Sequence, residues 1–281
     1  MRKTFSFEIF PPKKDMPVDV IYNTLDKLSD LAPDFISVTC GAGGSSANAS
    51  ARMIEIAAAI KNKYGRKSVA HLPCINLDKA EVLEILNQLD ANGIHEILAL
   101  RGDKVPNVEP KKDFPHAVDL IRFIREKTGD KFKIYAACYP EGHTEATDFD
   151  ADLEFLRQKV AAGVDGLITQ LFFDNGAFYY FREKISRLGI NIPVEAGIMP
   201  VSKKQQIERM VNICGANLPV KFRKILDRYG DNQAALQDAG IVYALNQIVD
   251  LLANGVDGVH LYVMNNVYVA RKISDGVQKL L

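Results

Sequence analysis

The chain has 281 residues, 47% of them hydrophobic, enough for a sizeable core in one large domain or two small ones. Its 35 basic and 35 acidic residues cancel, and the isoelectric point lies near 7.0, so the charge balance points neither to nucleic acid nor to an anionic membrane surface. No apolar run approaches the roughly 18 residues that span a bilayer. Met1-Arg2-Lys3 leads into a strand with no signal-peptide apolar segment, and the four cysteines are dispersed with no CxxC pair, which together lead us to expect a reduced, cytoplasmic setting.

In chain order, residues 4–10, 34–39, 68–75, 96–100, 131–137, 166–172, 192–198 and 258–263 read as strands. Amphipathic stretches at 18–31, 47–63, 79–92, 114–127, 150–162 and 177–188 follow the first six strands. A longer double stretch at 203–254 follows the seventh, and 267–280 closes the chain. The phrases NGIHEILALRGD, AGVDGLITQLFFD and NGVDGVHLYVMN repeat one unit: a helix ending at Gly93, Gly163 or Gly255, a short turn, then an apolar strand. Eight strands, each followed by helix, predict a single (β/α)8 TIM barrel over 1–281 rather than an open doubly wound sheet. An open sheet favours a glycine-rich first turn, whereas PPKKD follows the first strand and GAGGSS after the second lacks the GxGxxG spacing.

Barrel strands alternate inward and outward positions. In the first strand Phe5, Phe7 and Ile9 share one parity and Thr4, Ser6 and Glu8 the other, so the apolar set faces the helices and Glu8 faces the lumen. It lies at the C-terminal end, where barrel enzymes place their chemistry. A carboxylate shielded from water holds its proton more readily and can act as an acid. The bland alternative, a structural glutamate tied to an arginine, stands beside it. The other strand ends offer Thr39, His71, Arg101-Gly102-Asp103, the YPEGH stretch from Tyr139 to His143, Gln170 with Asp174, and Tyr262 with Asn265. Asp103 shares parity with Arg101 and with Ala99, expected to face inward. His71 and Cys74 fall on opposite faces, no HExxH pair exists, and so no metal site is expected. No GxSxG nucleophile turn is present either.

SFEIFPPK, SVTCGAGGS, HLPCI, LALRGD, YPEGH, DLEFLRQKVAAGVDGLITQLFFD and GIMPVS, in that order, resemble the landmarks of the methylenetetrahydrofolate reductase family. The resemblance covers nearly the whole chain. It implies a flavin-containing barrel that reduces the methylene bridge of methylenetetrahydrofolate to a methyl group, with NADH or NADPH, or a partner redox subunit, as electron source. It implies Glu8 as general acid and Asp103 as a second catalytic carboxylate beside flavin and folate. Flavin contacts carry over onto Thr39, Ala42, His71, Arg101, Gly102, Asp103, Tyr139, His143, Asp152 and Lys159, and folate contacts onto Gln170 and Gln206.

Four positions depart from the family pattern: Phe155 for asparagine, Gln158 for arginine, Met210 for phenylalanine and Asn266 for arginine. The first two remove polar contacts to the AMP half of FAD, which leaves room for FMN. The others bear on donor and folate tail. The same resemblance leads us to expect a homo-oligomer and no adenosylmethionine control. Two rival readings remain: a lyase or aldolase barrel, which wants a strand-end lysine or metal ligands, and a flavin- or folate-binding subunit inactive without a redox partner.

Overall fold

The computed structural model describes residues 2–12, 16–40, 47–104 and 109–281. Eight parallel strands follow one another around a closed barrel in chain order. They are β1 (Thr4–Ile9), β2 (Phe35–Val38), β3 (Lys67–Pro73), β4 (Glu96–Leu100), β5 (Lys133–Cys138), β6 (Gly166–Thr169), β7 (Val194–Ile198) and β8 (Gly258–Tyr262). The helices are α1 (Asp19–Leu28), α2 (Ala47–Asn62), α3 (Lys79–Ala91), α4 (Ala117–Thr128), α5 (Phe149–Ala161), α6 (Asn175–Arg187), α7 (Lys204–Cys214), α8 (Val220–Tyr229), α9 (Gln233–Ala253) and α10 (Val267–Val277). No helix is long and apolar enough to cross a membrane among the described residues. By compactness the chain divides into two units: Ser6–Ala137 with Gln158–Leu167, and Met1–Phe5 with Cys138–Arg157 and Ile168–Leu281.

In the first unit, parity places the side chains. Phe7 and Ile9 are fully buried on the helix-facing side of β1, each worth about 1.5–3 kcal/mol by removal from water. Glu8 is paired with Ser37, and Ser37 with Val69, so these positions share the inner face, as does His71 two residues further on. The rings of Phe35 on β2 and Tyr135 on β5 meet at 5.5 Å although those strands are not neighbours, which fixes the same inner face. His71 pairs with Leu98, and Leu98 with Tyr135, so Leu98 points inward and Ala99 outward. This corrects the expected inward Ala99. Arg101 and Asp103 lie beyond the end of β4, and Gly102 at φ +83° turns the chain between them, so strand parity does not govern either. Helix ends follow local chemistry: in α3, Asp78 accepts from the Glu81 N–H while Glu81 accepts from the Asp78 N–H, closing a capping box. Gly93 and Gly163 take the positive φ expected of them.

In the second unit, the expected double helical stretch is three helices. Gly215 in the left-handed conformation ends α7, Pro219 starts α8, and Asn232 caps α9 by accepting from the Ala235 N–H. Their apolar faces meet the ends of β6–β8 in a cluster that includes Phe173, Met199, Ile207, Phe222 and Leu236. Phe173 stacks on Phe222 at 4.9 Å, and the Tyr243 hydroxyl donates to the Phe173 carbonyl. The cluster closes only because residue 240 has no side chain: a Cβ there would run into the Val201 carbonyl.

Candidate active site

At the C-terminal end of β1, the Glu8 carboxylate lies 3.5 Å from His71 Nε2, with side chains 18% and 7% exposed. The two strands are separated by β2, so the pair can meet only over the inner face. Glu8 therefore sits where strand parity expects it, beside a histidine. The His71 carbonyl accepts from the Cys40 thiol, and burial pushes that thiol up to about 12, leaving it a neutral packing group. Thr39, just past β2, donates its N–H to the Ile9 carbonyl and keeps its side chain half-buried.

Arg101 is half-buried, and its Nε donates to the Gly102 carbonyl. A Cβ on Gly102 would lie 2.8 Å from Pro73 Cβ, so this turn demands glycine for space as well as for φ. Asp103 is exposed. Lys159 is not a solvated surface lysine. Its ammonium donates to the Ala137 carbonyl at 2.5 Å, at the end of β5. Ala42 lies outside the described residues.

In the other unit, Tyr139 and His143 stand edge-to-face at 4.7 Å on the loop after β5. His143 Nδ1 accepts from the Glu145 N–H, which leaves Nε2 as the proton-bearing nitrogen of the neutral ring. Asp152 is buried in the first turn of α5. Gln170 accepts from the Leu171 N–H through its own Oε1, and its backbone N–H donates to the Cys138 carbonyl. Gln206 is half-buried in the first turn of α7, and Met210 packs against the aromatic cluster. Asn266 caps α10 by accepting from the Val269 N–H. After β8, Met264 and Asn265 both carry positive φ without being glycine. Such backbone costs about 1–2 kcal/mol per residue and concentrates at functional sites.

The sequence reading missed three groups. Glu195 and His260 are buried on β7 and β8. His260 lies edge-to-face with Tyr262, whose hydroxyl donates to the Thr169 carbonyl. Both carry the signal that marked Glu8, a polar residue inside an apolar strand. Glu141 is the third: both its oxygens accept from Asn217, 76 residues away, and no local pattern announces that pairing. Cys74, by contrast, turns toward the Phe114 and His116 carbonyls, away from His71, with its thiol pushed up to about 12 by burial. No cluster of three or more potential metal ligands occurs among the described residues.

The family model described as methylenetetrahydrofolate reductase matches residues 1–278. The chain is similar to the 5,10-methylenetetrahydrofolate reductase of Escherichia coli, at 33% identity over 268 residues, 95% of this chain and 88% of that one. It is also similar to methylenetetrahydrofolate reductase (NADH) 1 of Arabidopsis thaliana, at 36% identity over 274 residues. There it spans 93% of its own length and 46% of the plant protein, so it matches about half of that relative. Among solved structures, a Clostridium thermocellum protein that binds two copies of 5-methyl-5,6,7,8-tetrahydrofolic acid superposes with a TM-score of 0.72 at 13% identity, over 99% of this chain and 96% of that one. That likeness concerns the barrel fold alone.

Proposed function

Because the chain belongs to the methylenetetrahydrofolate reductase family, we propose that it reduces 5,10-methylenetetrahydrofolate to 5-methyltetrahydrofolate, using a bound flavin and Glu8 as general acid. The observation that carries this reading is the family match along residues 1–278, with Glu8 on the barrel's inner face beside His71.

The residues suit a flavin. Arg101 and Lys159 supply two cations for its phosphates, and the side-chain-free Gly102 lets a ligand approach the backbone. Tyr139 and His143 offer ring faces and edges. When bound, the flavin supplies the hydride, which it receives from NADH, NADPH or a redox partner. Glu8 gives its proton to the folate nitrogen at one end of the methylene bridge, the carbon–nitrogen bond breaks, and the bridge carbon becomes an iminium ready for hydride. Asp103 supplies negative charge that favours this cation, and Gln170, whose amide both donates and accepts, holds the folate with Gln206. FAD is the expected cofactor. Phe155, half exposed, and Gln158 offer no charge to an AMP half, which keeps FMN as the alternative.

The test is anaerobic titration of the purified protein with NADH and NADPH, followed by flavin absorbance. Bleaching by either, and reoxidation by methylenetetrahydrofolate, is expected. A protein that binds neither FAD nor FMN would defeat the flavin assignment. Met210 favours a second reading, in which a partner subunit delivers electrons: here a flexible thioether packed on the apolar cluster replaces a stacking ring. Activity with an artificial dye but with neither nucleotide would select that reading.

A further inference from the structure

Glu141 has no place in the chemistry above, yet it is held with care. It lies in the loop between β5 and α5, two residues from Tyr139 and two from His143. Both of its oxygens accept from the Asn217 N–H at 3.2 Å, and Oε1 also accepts from Asn217 Nδ2 at 2.8 Å. Asn217 belongs to the turn between α7 and α8. The same two segments touch a second time, because a Cβ on Gly215 would lie 2.7 Å from Thr144 Cγ2. Within the loop, Gly142 at φ +86° donates its N–H to the Tyr139 carbonyl, and His143 Nδ1 accepts from the Glu145 N–H. The loop is thus folded on itself and fastened at one carboxylate. Burial and the nearby Asp174 charge raise that carboxylate's pKa, against the pull of the Asn217 bonds. A carboxylate kept ionisable where its surroundings oppose the charge is a costly choice for packing alone.

We propose that Glu141 is a positioning residue that, through Asn217, ties the loop bearing Tyr139 and His143 to the α7–α8 hairpin bearing Gln206 and Met210, and so couples the two ligand sites. The coupling part rests on the flavin and folate reading above. The latch part does not. Coupling of this kind is reciprocal: whatever orders the hairpin tightens the loop, and the reverse.

The test uses Asn217→Ala, Asn217→Asp and Glu141→Gln in the full chain. Asn217 is exposed, so its substitutions leave the fold standing, and Glu141→Gln keeps the side chain's shape. Amide hydrogen exchange, run without flavin or folate, should accelerate in residues 139–148 in both Asn217 variants, most in Asn217→Asp, where two carboxylates face each other. Flavin affinity, by fluorescence titration, should fall on the order of tenfold in Asn217→Ala. In the wild type, added methyltetrahydrofolate should tighten flavin binding, and in Asn217→Ala that tightening should shrink with the melting midpoint unchanged. A wild type that binds flavin equally with and without folate would overturn the coupling. Asn217→Ala combined with Glu141→Gln should be little worse than either alone. Unchanged exchange in Asn217→Asp would overturn the latch. Faster exchange with flavin and folate affinities still coupled as in wild type would overturn the coupling. A wild-type protein that binds no flavin would sink the functional reading instead, and the exchange result would still decide the latch.

Discussion

On β1 and β3 the polar groups sit on the strands themselves. Glu8 and His71 are set by register, and their neighbours Phe7, Ile9, Ala70 and Leu72 are buried on the opposite face. In the second unit, Tyr139, His143, Glu141 and Gln206 sit on a loop or a first helical turn and are held by side-chain bonds and a satellite apolar cluster. The first arrangement is as rigid as the sheet. The second can loosen without unfolding the barrel, because surface loops open at lower cost than strands. The proposed reduction would use both: an acid fixed on a strand, and loops that can admit and release ligands.

The largest expected effects separate the two arrangements by what breaks. Phe7→Ala should destabilise the protein by about 3–5 kcal/mol, read as a lowered urea midpoint, since Phe7 is fully buried behind Glu8. Gly240→Ala should cost about 1–3 kcal/mol by overpacking against the Val201 backbone. It should also loosen the α7–α9 cluster, seen as faster amide exchange there while the strands stay protected. An intermediate effect is expected at Gly102. Gly102→Ala combines φ +83° with the Pro73 collision, so it should weaken flavin binding and destabilise more than Gly129→Ala, which has the same class of φ but open space around it. Equal effects in the two glycine variants would remove the argument for a crowded turn at Gly102.

Smaller effects follow from titration. Burial raises the Glu141 pKa in the folded protein. A raised acid binds its proton more tightly when folded, so its contribution favours folding at low pH and is lost as pH climbs from the ordinary carboxylate range through the raised value. The stability of wild type relative to Glu141→Gln should therefore fall over that interval and then level off. A difference that does not change with pH would contradict the assigned cause. Smallest of all, Cys40 and Cys74, with thiols near 12, should resist iodoacetamide at neutral pH until the protein unfolds.

Much of the first arrangement was legible in the sequence because strand periodicity is local. The 4–10 strand showed its parity, and Glu8 broke its apolar pattern. Parity failed at Ala99, since the direction of β4 depends on its pairing with His71, a long-range fact. Arg101 and Asp103 lie past the end of β4 with Gly102 turning the chain between them, so parity alone does not place them. The third helix within 203–254 went unread because Gly215, Pro219 and the Gly230-Asp231-Asn232 stretch each break a helix, and composition alone did not rank them. Glu141 stayed hidden for a simpler reason: its meaning lies in Asn217, and nothing in YPEGH names that partner. Lys159 reads from the sequence as a flavin contact by resemblance; its bond to the end of β5 depends on the packing of α5, which no local pattern shows.

The most direct measurement isolates proton donation from electron supply. In Glu8→Gln, stopped-flow absorbance should show flavin reduction by the donor at close to the wild-type rate, while reoxidation by methylenetetrahydrofolate is lost. The barrel should stay folded, because glutamine keeps the shape beside His71. If reoxidation by folate proceeds at the wild-type rate in that variant, the acid lies elsewhere and the account given to Glu8 is wrong.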